Sequence, residues 1–199
     1  NISNYIPIRD FYDTNYFNFI SVGRLTKGKN QELLIRAFNK LKNKKIRLYI
    51  FGDGELDSYL KNKIVQLNLE SQVFLKGFST DIFSYLKGAD AFLFGSNHEG
   101  FPNVLLEAMA CELPIITTDC PSGPKEIMKV SLSNSVNKNL RTAYGILVPL
   151  NNVDFMADAL NEMVSDSNYY DLCKKNVIIR SLDFRKEFIL KQYYDFISK

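Results

Sequence analysis

The stretch from Ser96 to Ala110 carries the residue types best suited to binding a substrate. It contains Glu99-Gly100-Phe101-Pro102 after an apolar run, and Glu107 lies one turn into an expected helix. A glycine turn between a strand and a helix start makes an anion site, because the first N–H groups of the helix are free and its dipole is positive there. Two carboxylates beside such a site can accept hydrogen bonds from hydroxyl groups, so the stretch suits a nucleotide-linked sugar. An ordinary strand–loop–helix with two exposed glutamates would carry the same residues, since an isolated glycine turn is a weak signal.

A second group of candidate residues follows the first expected strand. Gly23 is followed directly by Arg24, and Lys29 comes shortly after, ahead of a helix. Arginine offers a planar fork to phosphate oxygens and lysine a compact point charge. A solvated loop would carry the same charges. Because a diphosphate needs both cations and amide donors, the two groups together favour a diphosphate site.

The order of expected elements brings both groups to one edge of a sheet. Short apolar runs predict strands, and 3.6-residue spacing predicts the helices between them. The strands are expected at 17–22, 46–51, 73–75, 91–94, 115–118 and 145–148; the helices at 30–41, 56–67, 80–86, 104–110, near 124–126, and at 153–164, 169–181 and 185–197. This alternation predicts an α/β fold, a doubly wound, Rossmann-like parallel sheet with ligands beyond its carboxyl edge. Asn30 and Asn103 are expected helix N-caps, and the polar stretch 131–142 is expected to be a mobile loop.

The composition excludes several other classes of protein. A chain of 199 residues with 46% hydrophobic residues can form a full core. A net charge of +3 is too small to indicate nucleic acid. The three cysteines, Cys111, Cys120 and Cys173, are widely spaced and indicate reduced thiols in a cytosolic protein. The sequence contains no Asp-x-Asp metal motif and no apolar run long enough to span a membrane.

The ordered set of motifs resembles the C-terminal, donor-binding domain of retaining glycosyltransferases with the GT-B fold, a family that includes bacterial polysaccharide hexosyltransferases. The most specific piece is Glu99-Gly100-Phe101-Pro102 with Glu107-Ala108, which matches the family's pattern of two glutamates separated by seven residues. The resemblance covers roughly residues 18–150, and its other pieces are Val22-Gly23-Arg24-Leu25 with Lys29-Asn30, Phe51-Gly52-Asp53-Gly54, Val73 to Gly77, Asp119 to Glu126 and Gly145 to Pro149.

The resemblance implies a role for each matched position. Arg24 and Lys29 would hold the diphosphate and neutralise charge on the departing nucleotide, and Glu99 would contact the donor sugar. These three are the residues expected to carry catalysis. The remaining residues would line the donor site: Glu107 at the ribose hydroxyls, the amides of Asn103, Val104 and Leu105 at phosphate, Lys76, Gly77 and Phe78 at the base, and Gly23, His98, Gly100, Phe101 and Pro102 around them. The donor would be a nucleoside-diphosphate sugar, most simply a UDP-linked hexose or N-acetylhexosamine, with no cofactor or metal.

The resemblance also implies an organisation of the chain and its partners. Residues 1–16 would be an interdomain linker with no packed element, 17–182 the nucleotide-sugar domain, and 183–199 a helix that crosses to an N-terminal acceptor domain. That domain is missing here, so we expect the chain to be part of a longer protein and inactive alone. The expected acceptor is a lipid-linked saccharide, and the expected location is cytoplasmic, at the inner face of the membrane. The expected process is synthesis of a bacterial surface polysaccharide such as lipopolysaccharide or capsule.

Other classes of protein share parts of this pattern. A dinucleotide-dependent oxidoreductase would carry G-x-G-x-x-G after the first strand, where this chain has Gly23-Arg24-Leu25-Thr26-Lys27-Gly28. Gly52-Asp53-Gly54 begins such a motif, but Asp57 stands where its third glycine belongs. A nucleotide-sugar-binding fragment without activity, or a GT-B-like epimerase or phosphorylase, remains an alternative. His98, the single histidine, is expected to line the pocket, and Asp53 to be a turn residue.

Overall fold

The structure is a computed structural model that describes residues 2, 5–133 and 136–198. Strands and helices alternate along most of the chain, as predicted. The strands are β1 (Phe17–Val22), β2 (Ile46–Phe51), β3 (Val73–Gly77), β4 (Ala91–Phe94), β5 (Ile115–Thr118), β6 (Leu140–Thr142) and β7 (Gly145–Val148). The helices are α1 (Gln31–Lys40), α2 (Asp57–Gln66), α3 (Ile82–Gly88), α4 (Asn103–Ala110), α5 (Pro124–Ile127), α6 (Val153–Ser165), α7 (Ser167–Leu182) and α8 (Lys186–Ile197).

The strands form one sheet in the order β3-β2-β1-β4-β5-β7-β6. Every pair is parallel except β6 with β7, which is antiparallel. The predicted doubly wound parallel sheet is therefore confirmed. The prediction of a mobile loop over residues 131–142 is wrong at 140–142, where β6 forms, and residues 134 and 135 lie outside the described residues. The Thr142 hydroxyl stabilises this hairpin by donating to the Gly145 carbonyl at 2.9 Å and accepting from the Tyr144 amide at 3.1 Å.

Alternate strand residues enter two separate cores, one on each face of the sheet. Phe19 faces the core covered by α1, α2 and α6, and its neighbour Ile20 faces the core that contains α3, α4 and α5. The same alternation separates Leu93 from Phe92 on β4. Because β1 and β4 are covered on both faces, the two central residues of β1, Phe19 and Ile20, and all four residues of β4 are apolar.

Residues 9–12, which lie within the linker predicted for residues 1–16, form a packed element, and residues 1, 3 and 4 of that linker lie outside the described residues. Arg9–Phe11 forms a short 3₁₀ helix, and Tyr12 is only 5% exposed. The Tyr12 hydroxyl donates to the Tyr85 carbonyl at 3.0 Å, and its ring meets Tyr49 edge-on at 4.9 Å. Aromatic side chains of β2 and α3 therefore bind this segment to the domain. The composition gave no sign of it, because polar residues separate Phe11 and Tyr12 from any regular pattern.

Helix α8 leaves much of its apolar surface open. Its large apolar side chains are 43–79% exposed, and these are Phe188, Ile189, Leu190, Tyr193, Tyr194, Phe196 and Ile197. Within the described ranges, no helix is both long and apolar enough to cross a membrane.

Candidate functional site

The strand order reverses between β1 and β4, and this is where the candidate site lies. From β1 the chain proceeds to β2 on one side, and from β4 it proceeds to β5 on the other. The loops that follow β1 and β4 therefore diverge and leave a crevice at the carboxyl edge, which is where open α/β sheets bind ligands. The register, with Ile20 opposite Phe92, brings the two loops to the same edge. The sequence placed Arg24 and Lys29 on one of these loops and Glu99 on the other.

Across this crevice Lys29 and Glu99 form an ion pair. The Lys29 Nζ lies 2.6 Å from the Glu99 Oε1, and the side chains are 30% and 10% exposed. The ammonium group also lies 5.7 Å from the centre of the Phe94 ring. The structure thus brings together two predicted site residues and shows that the lysine is not a free cation, because Glu99 neutralises part of its charge.

The Glu99 carboxylate is held by one oxygen only. Its Oε1 also accepts a hydrogen bond from the Ser96 hydroxyl at 2.6 Å. In the part of the chain that the structure describes, Oε2 has no hydrogen-bond partner. One oxygen is therefore anchored, while the other can accept a bond from a ligand. The sequence analysis included Ser96 in the candidate stretch but gave it no role; the signal for one was its position at the end of the apolar run of β4.

Glycine lets the loops after β1 and β2 pack backbone against backbone. A Cβ on Gly52 would lie 2.1 Å from the Gly23 carbonyl oxygen, and Gly52 has φ of 135°. The Leu25 amide donates to the Asp53 carbonyl at 2.7 Å. These contacts support the predicted role of Asp53 as an exposed turn residue and fix the path of the loop that carries Arg24. The Arg24 side chain is exposed, with no ion pair or hydrogen bond among the described residues.

Of the two predicted helix N-caps, Asn30 is confirmed in position but makes no side-chain capping bond, and Asn103 is wrong. Asn30 does sit at the N-cap of α1, but with a left-handed backbone (φ 50°) and no side-chain capping bond. Its Nδ2 donates instead to the Oδ1 atoms of Asn97, at 3.0 Å, and Asn151, at 3.1 Å, and so ties three loops together. The N-cap of α4 is Pro102, and Asn103 is the first helical residue.

The start of α4 offers fewer free amides than predicted. The Asn103 amide donates to the Phe101 carbonyl at 3.0 Å, and the Leu105 amide to the Pro102 carbonyl at 2.9 Å. Among the described residues, the amides of Gly100, Phe101 and Val104 have no acceptor. The amides available to a ligand are therefore those of Gly100 and Phe101, in the glycine turn before the helix, and that of Val104 in its first turn.

The loop after β5 packs against the glycine turn that precedes α4. Gly123 has φ of 96°, and a Cβ there would lie 2.2 Å from the Pro102 Cδ. The Thr118 hydroxyl donates to the Ser96 carbonyl at 2.5 Å. The ends of β4 and β5 are therefore joined by both packing and hydrogen bonding.

Glu107 lies on α4 as an unpaired, partly buried carboxylate. Desolvation raises the pKa of Glu107 above its ordinary value. No hydrogen bond or ion pair to its carboxylate occurs in the described ranges. A carboxylate that loses water without gaining a partner is available to a ligand that brings hydroxyl groups.

The remaining predicted positions lie around the same edge. The Gly77 carbonyl accepts from the Gly52 amide at 2.8 Å, and Phe78 is 71% exposed. The Lys76 ammonium lies 4.9 Å from the Phe11 ring centre and also over Tyr49 and Phe74. His98 is exposed and its ring has no hydrogen bond within the described part of the chain. Over the same ranges, no group of three or more His, Cys, Asp or Glu side chains is arranged to hold a metal ion.

The fold and the crevice define the class of domain: the C-terminal half of a GT-B glycosyltransferase. The *Anabaena* protein HepE, solved in complex with UDP-glucose, superposes with a TM-score of 0.78 at 25% identity, over 92% of this chain and 49% of that one. *Staphylococcus aureus* TarM, solved with UDP, gives 0.79 at 21% identity, over 92% of this chain and 36% of that one, and shows the same fold.

The family model for glycosyl transferases group 1 matches residues 9–180, and the chain belongs to this family. It is 36% identical over 196 residues to an uncharacterized glycosyltransferase of *Methanocaldococcus jannaschii*, covering 89% of this chain and 48% of the relative. It is also 36% identical over 167 residues to a *Campylobacter jejuni* enzyme named N-acetylgalactosamine-N,N'-diacetylbacillosaminyl-diphospho-undecaprenol 4-alpha-N-acetylgalactosaminyltransferase, covering 84% of this chain and 42% of that enzyme. The chain thus spans about half the length of these relatives.

Proposed function

We propose that this chain is the donor-binding half of a retaining glycosyltransferase that uses a nucleoside-diphosphate sugar, with UDP as the nucleotide and a hexose or N-acetylhexosamine as the sugar. One observation carries the proposal. At the strand-order reversal, Lys29 and Glu99 form an ion pair, and the amides of Gly100, Phe101 and Val104, which follow Glu99 in the chain, have no acceptor among the described residues. The crevice therefore offers cationic and amide donors to phosphate, and carboxylate acceptors to hydroxyl groups.

The diphosphate would lie between the two loops of the crevice. Arg24 extends from the β1 loop without a partner among the described residues, so its guanidinium can bind phosphate oxygens. Lys29 has three N–H donors and can share its charge between Glu99 and a phosphate. Glu107, already desolvated, would accept the ribose hydroxyls, and the base would lie near Lys76, Gly77 and Phe78.

Catalysis would act mainly on the leaving group. When the bond between the sugar C1 and the β-phosphate oxygen breaks, its electron pair stays on that oxygen. The acceptor hydroxyl oxygen forms the new bond to C1 from the same face, and its proton passes to the departing phosphate. Arg24 and Lys29 stabilise the added negative charge more in the transition state than in the ground state, which is the condition for faster turnover. We propose that these cations serve in place of a metal ion.

The relatives support the wider role. An *Escherichia coli* relative, 33% identical over 81% of this chain and covering 40% of that enzyme, is named UDP-Gal:alpha-D-GlcNAc-diphosphoundecaprenol alpha-1,3-galactosyltransferase. Its name and that of the *Campylobacter* enzyme specify acceptors linked to undecaprenol diphosphate. We propose a lipid-linked saccharide acceptor, an N-terminal domain that binds it, and a place at the cytoplasmic face of the membrane in synthesis of a surface polysaccharide. The chain alone would bind the donor without transferring the sugar.

The test is calorimetric titration of the chain with UDP and, separately, with NAD. We expect UDP to bind and NAD not to bind. Glu107→Ala should weaken UDP binding by about tenfold, because hydrogen bonds to a charged acceptor are lost. Asp158→Ala, which removes an exposed carboxylate in the middle of α6, is the matched control and should leave UDP binding unchanged. Tighter binding of NAD than of UDP would refute the proposed donor site, and equal UDP affinities for wild type and Glu107→Ala would remove Glu107 from it.

A further inference from the structure

Ser96 is a buried hydroxyl at the centre of the candidate site. It directly follows β4 and Gly95, is 0% exposed, and its Oγ lies 2.6 Å from the Glu99 Oε1. The same oxygen lies 3.0 Å from the Gly28 carbonyl and 3.3 Å from the His98 carbonyl. A serine hydroxyl has one proton to donate. The shortest contact is to the charged carboxylate, and charge-assisted bonds are the strongest of these, so the proton belongs on the side of Glu99.

The backbone of Ser96 is fixed independently of its side chain. Its carbonyl accepts from the Thr118 hydroxyl of β5. Next to it, the Asn97 amide donates to the Gly28 carbonyl at 2.8 Å. Ser96 is therefore held by the neighbouring strand and by the β1 loop, and its hydroxyl is a fixed reference point for Glu99.

Lys29, the other partner of Glu99, also binds the diphosphate in the proposed function. A diphosphate in the crevice competes with Glu99 for the same ammonium group. When the Lys29 charge is shared with phosphate, its bond to the Glu99 Oε1 weakens, and the buried Ser96 hydroxyl is the partner that remains. Without it, a carboxylate that is only 10% exposed would lose its orientation at the moment the donor arrives.

We propose that Ser96 is a positioning residue for recognition of the donor sugar. It anchors the Glu99 Oε1 so that Oε2 faces a sugar hydroxyl while Lys29 binds the diphosphate. This inference rests on the proposed function, and it predicts that loss of the Ser96 hydroxyl reduces the affinity contributed by the sugar and spares the affinity contributed by UDP.

The experiment measures the affinity of the chain for UDP and for four probes: UDP-glucose, UDP-galactose, UDP-N-acetylglucosamine and UDP-N-acetylgalactosamine. The quantity of interest is the gain in affinity that the sugar provides. It is the ratio of the Kd for UDP to the Kd for the UDP-sugar that binds most tightly. In Ser96→Ala we expect this gain to fall by about tenfold, with UDP affinity within about twofold of wild type. Ser96→Thr and Ser96→Val add nearly equal volume, and only threonine can donate, so threonine should retain more of the gain than valine.

The control is Ser84→Ala, which removes another buried serine hydroxyl bound to a carboxylate: the Oγ of Ser84 in α3 lies 2.8 Å from the Oδ1 of Asp81, the N-cap residue of that helix. It should leave the sugar gain unchanged. The inference is overturned if Ser96→Ala keeps the wild-type gain, if it loses UDP affinity as strongly as sugar affinity, or if no sugar probe exceeds UDP on wild type. Failure of UDP itself to bind wild type would instead refute the proposed function.

Discussion

The Lys29–Glu99 pair should contribute measurably to the stability of the ligand-free chain. At 2.6 Å and an effective dielectric constant of about 20, the gross attraction is about 6 kcal/mol. Ordering the lysine side chain costs up to about 2 kcal/mol, and partial desolvation of both groups offsets much of the rest. The side chains are 30% and 10% exposed, between the surface and buried extremes, so we expect a net coupling of about 1–3 kcal/mol.

A double-mutant cycle measures this coupling. The variants are Lys29→Met, Glu99→Gln and the pair together, followed by urea unfolding with far-ultraviolet circular dichroism. Lys29→Met alone should cost the most, because it leaves the Glu99 carboxylate with the Ser96 hydroxyl as its remaining partner. The double variant should be more stable than the sum of the two single losses predicts.

Saturating UDP should reduce the coupling, since Lys29 then shares its charge with phosphate. Additive losses, to within about 0.5 kcal/mol and with unchanged denaturant slopes, would show that the pair is energetically silent and would refute the reasoning. A coupling that grows with UDP would contradict competition between phosphate and Glu99.

Further predictions concern individual residues at the carboxyl edge of the sheet. Glu107→Gln should raise the urea midpoint at neutral pH while weakening UDP binding by about tenfold. Desolvation raises the pKa of Glu107 in the folded chain, so the folded chain keeps the Glu107 proton to a higher pH than the unfolded chain does. Stability therefore falls as pH rises from the unfolded-state pKa through the folded-state pKa. The advantage of glutamine should vanish below the ordinary carboxyl range of pH, where Glu107 is protonated in both states. Arg24→Lys should weaken UDP binding by about tenfold through loss of the planar fork, whereas His98→Ala should change it by less than about twofold; a larger loss for His98→Ala would reverse their assigned roles. Gly123→Ala should destabilise the chain by about 1–3 kcal/mol and weaken UDP binding, because the added Cβ would meet the Pro102 ring at 2.2 Å; an unchanged urea midpoint would show that the loop yields without cost.

The sequence predicted the architecture well because its signals are local. Each parallel strand is a short, mainly apolar segment, and helical spacing follows most of them, so that β1 and β4 could be predicted from the sequence around them alone. β6 was missed because it is a three-residue polar strand whose hairpin depends on the Thr142 hydroxyl. Tyr12 was missed because its partners lie on β2 and α3, far away in sequence.

The sequence predicted which residues belong to the candidate site but not which of them contact each other. Residue types and spacing predicted phosphate binding at Lys29 and hydroxyl binding at Glu99, and the family resemblance assigned the two residues to different parts of the donor. Their ion pair depends on the register of β1 against β4, which no local pattern encodes. The same holds for Asn30, whose type suits a helix cap and whose side chain instead spans to Asn97 and Asn151.

The short antiparallel strand β6 also bears on the tendency of the chain to aggregate. Its neighbour β7 is Gly-Ile-Leu-Val with all four residues buried. If β7 were the edge strand of the sheet, its unpaired N–H and C=O groups could pair with a strand of another molecule. β6 occupies that border, and Arg141 holds it in place through ion pairs with Glu162 at 3.2 Å and Asp166 at 2.8 Å. Proteolytic cleavage or truncation that removes residues 140–142 would uncover β7 and create a template for aggregation.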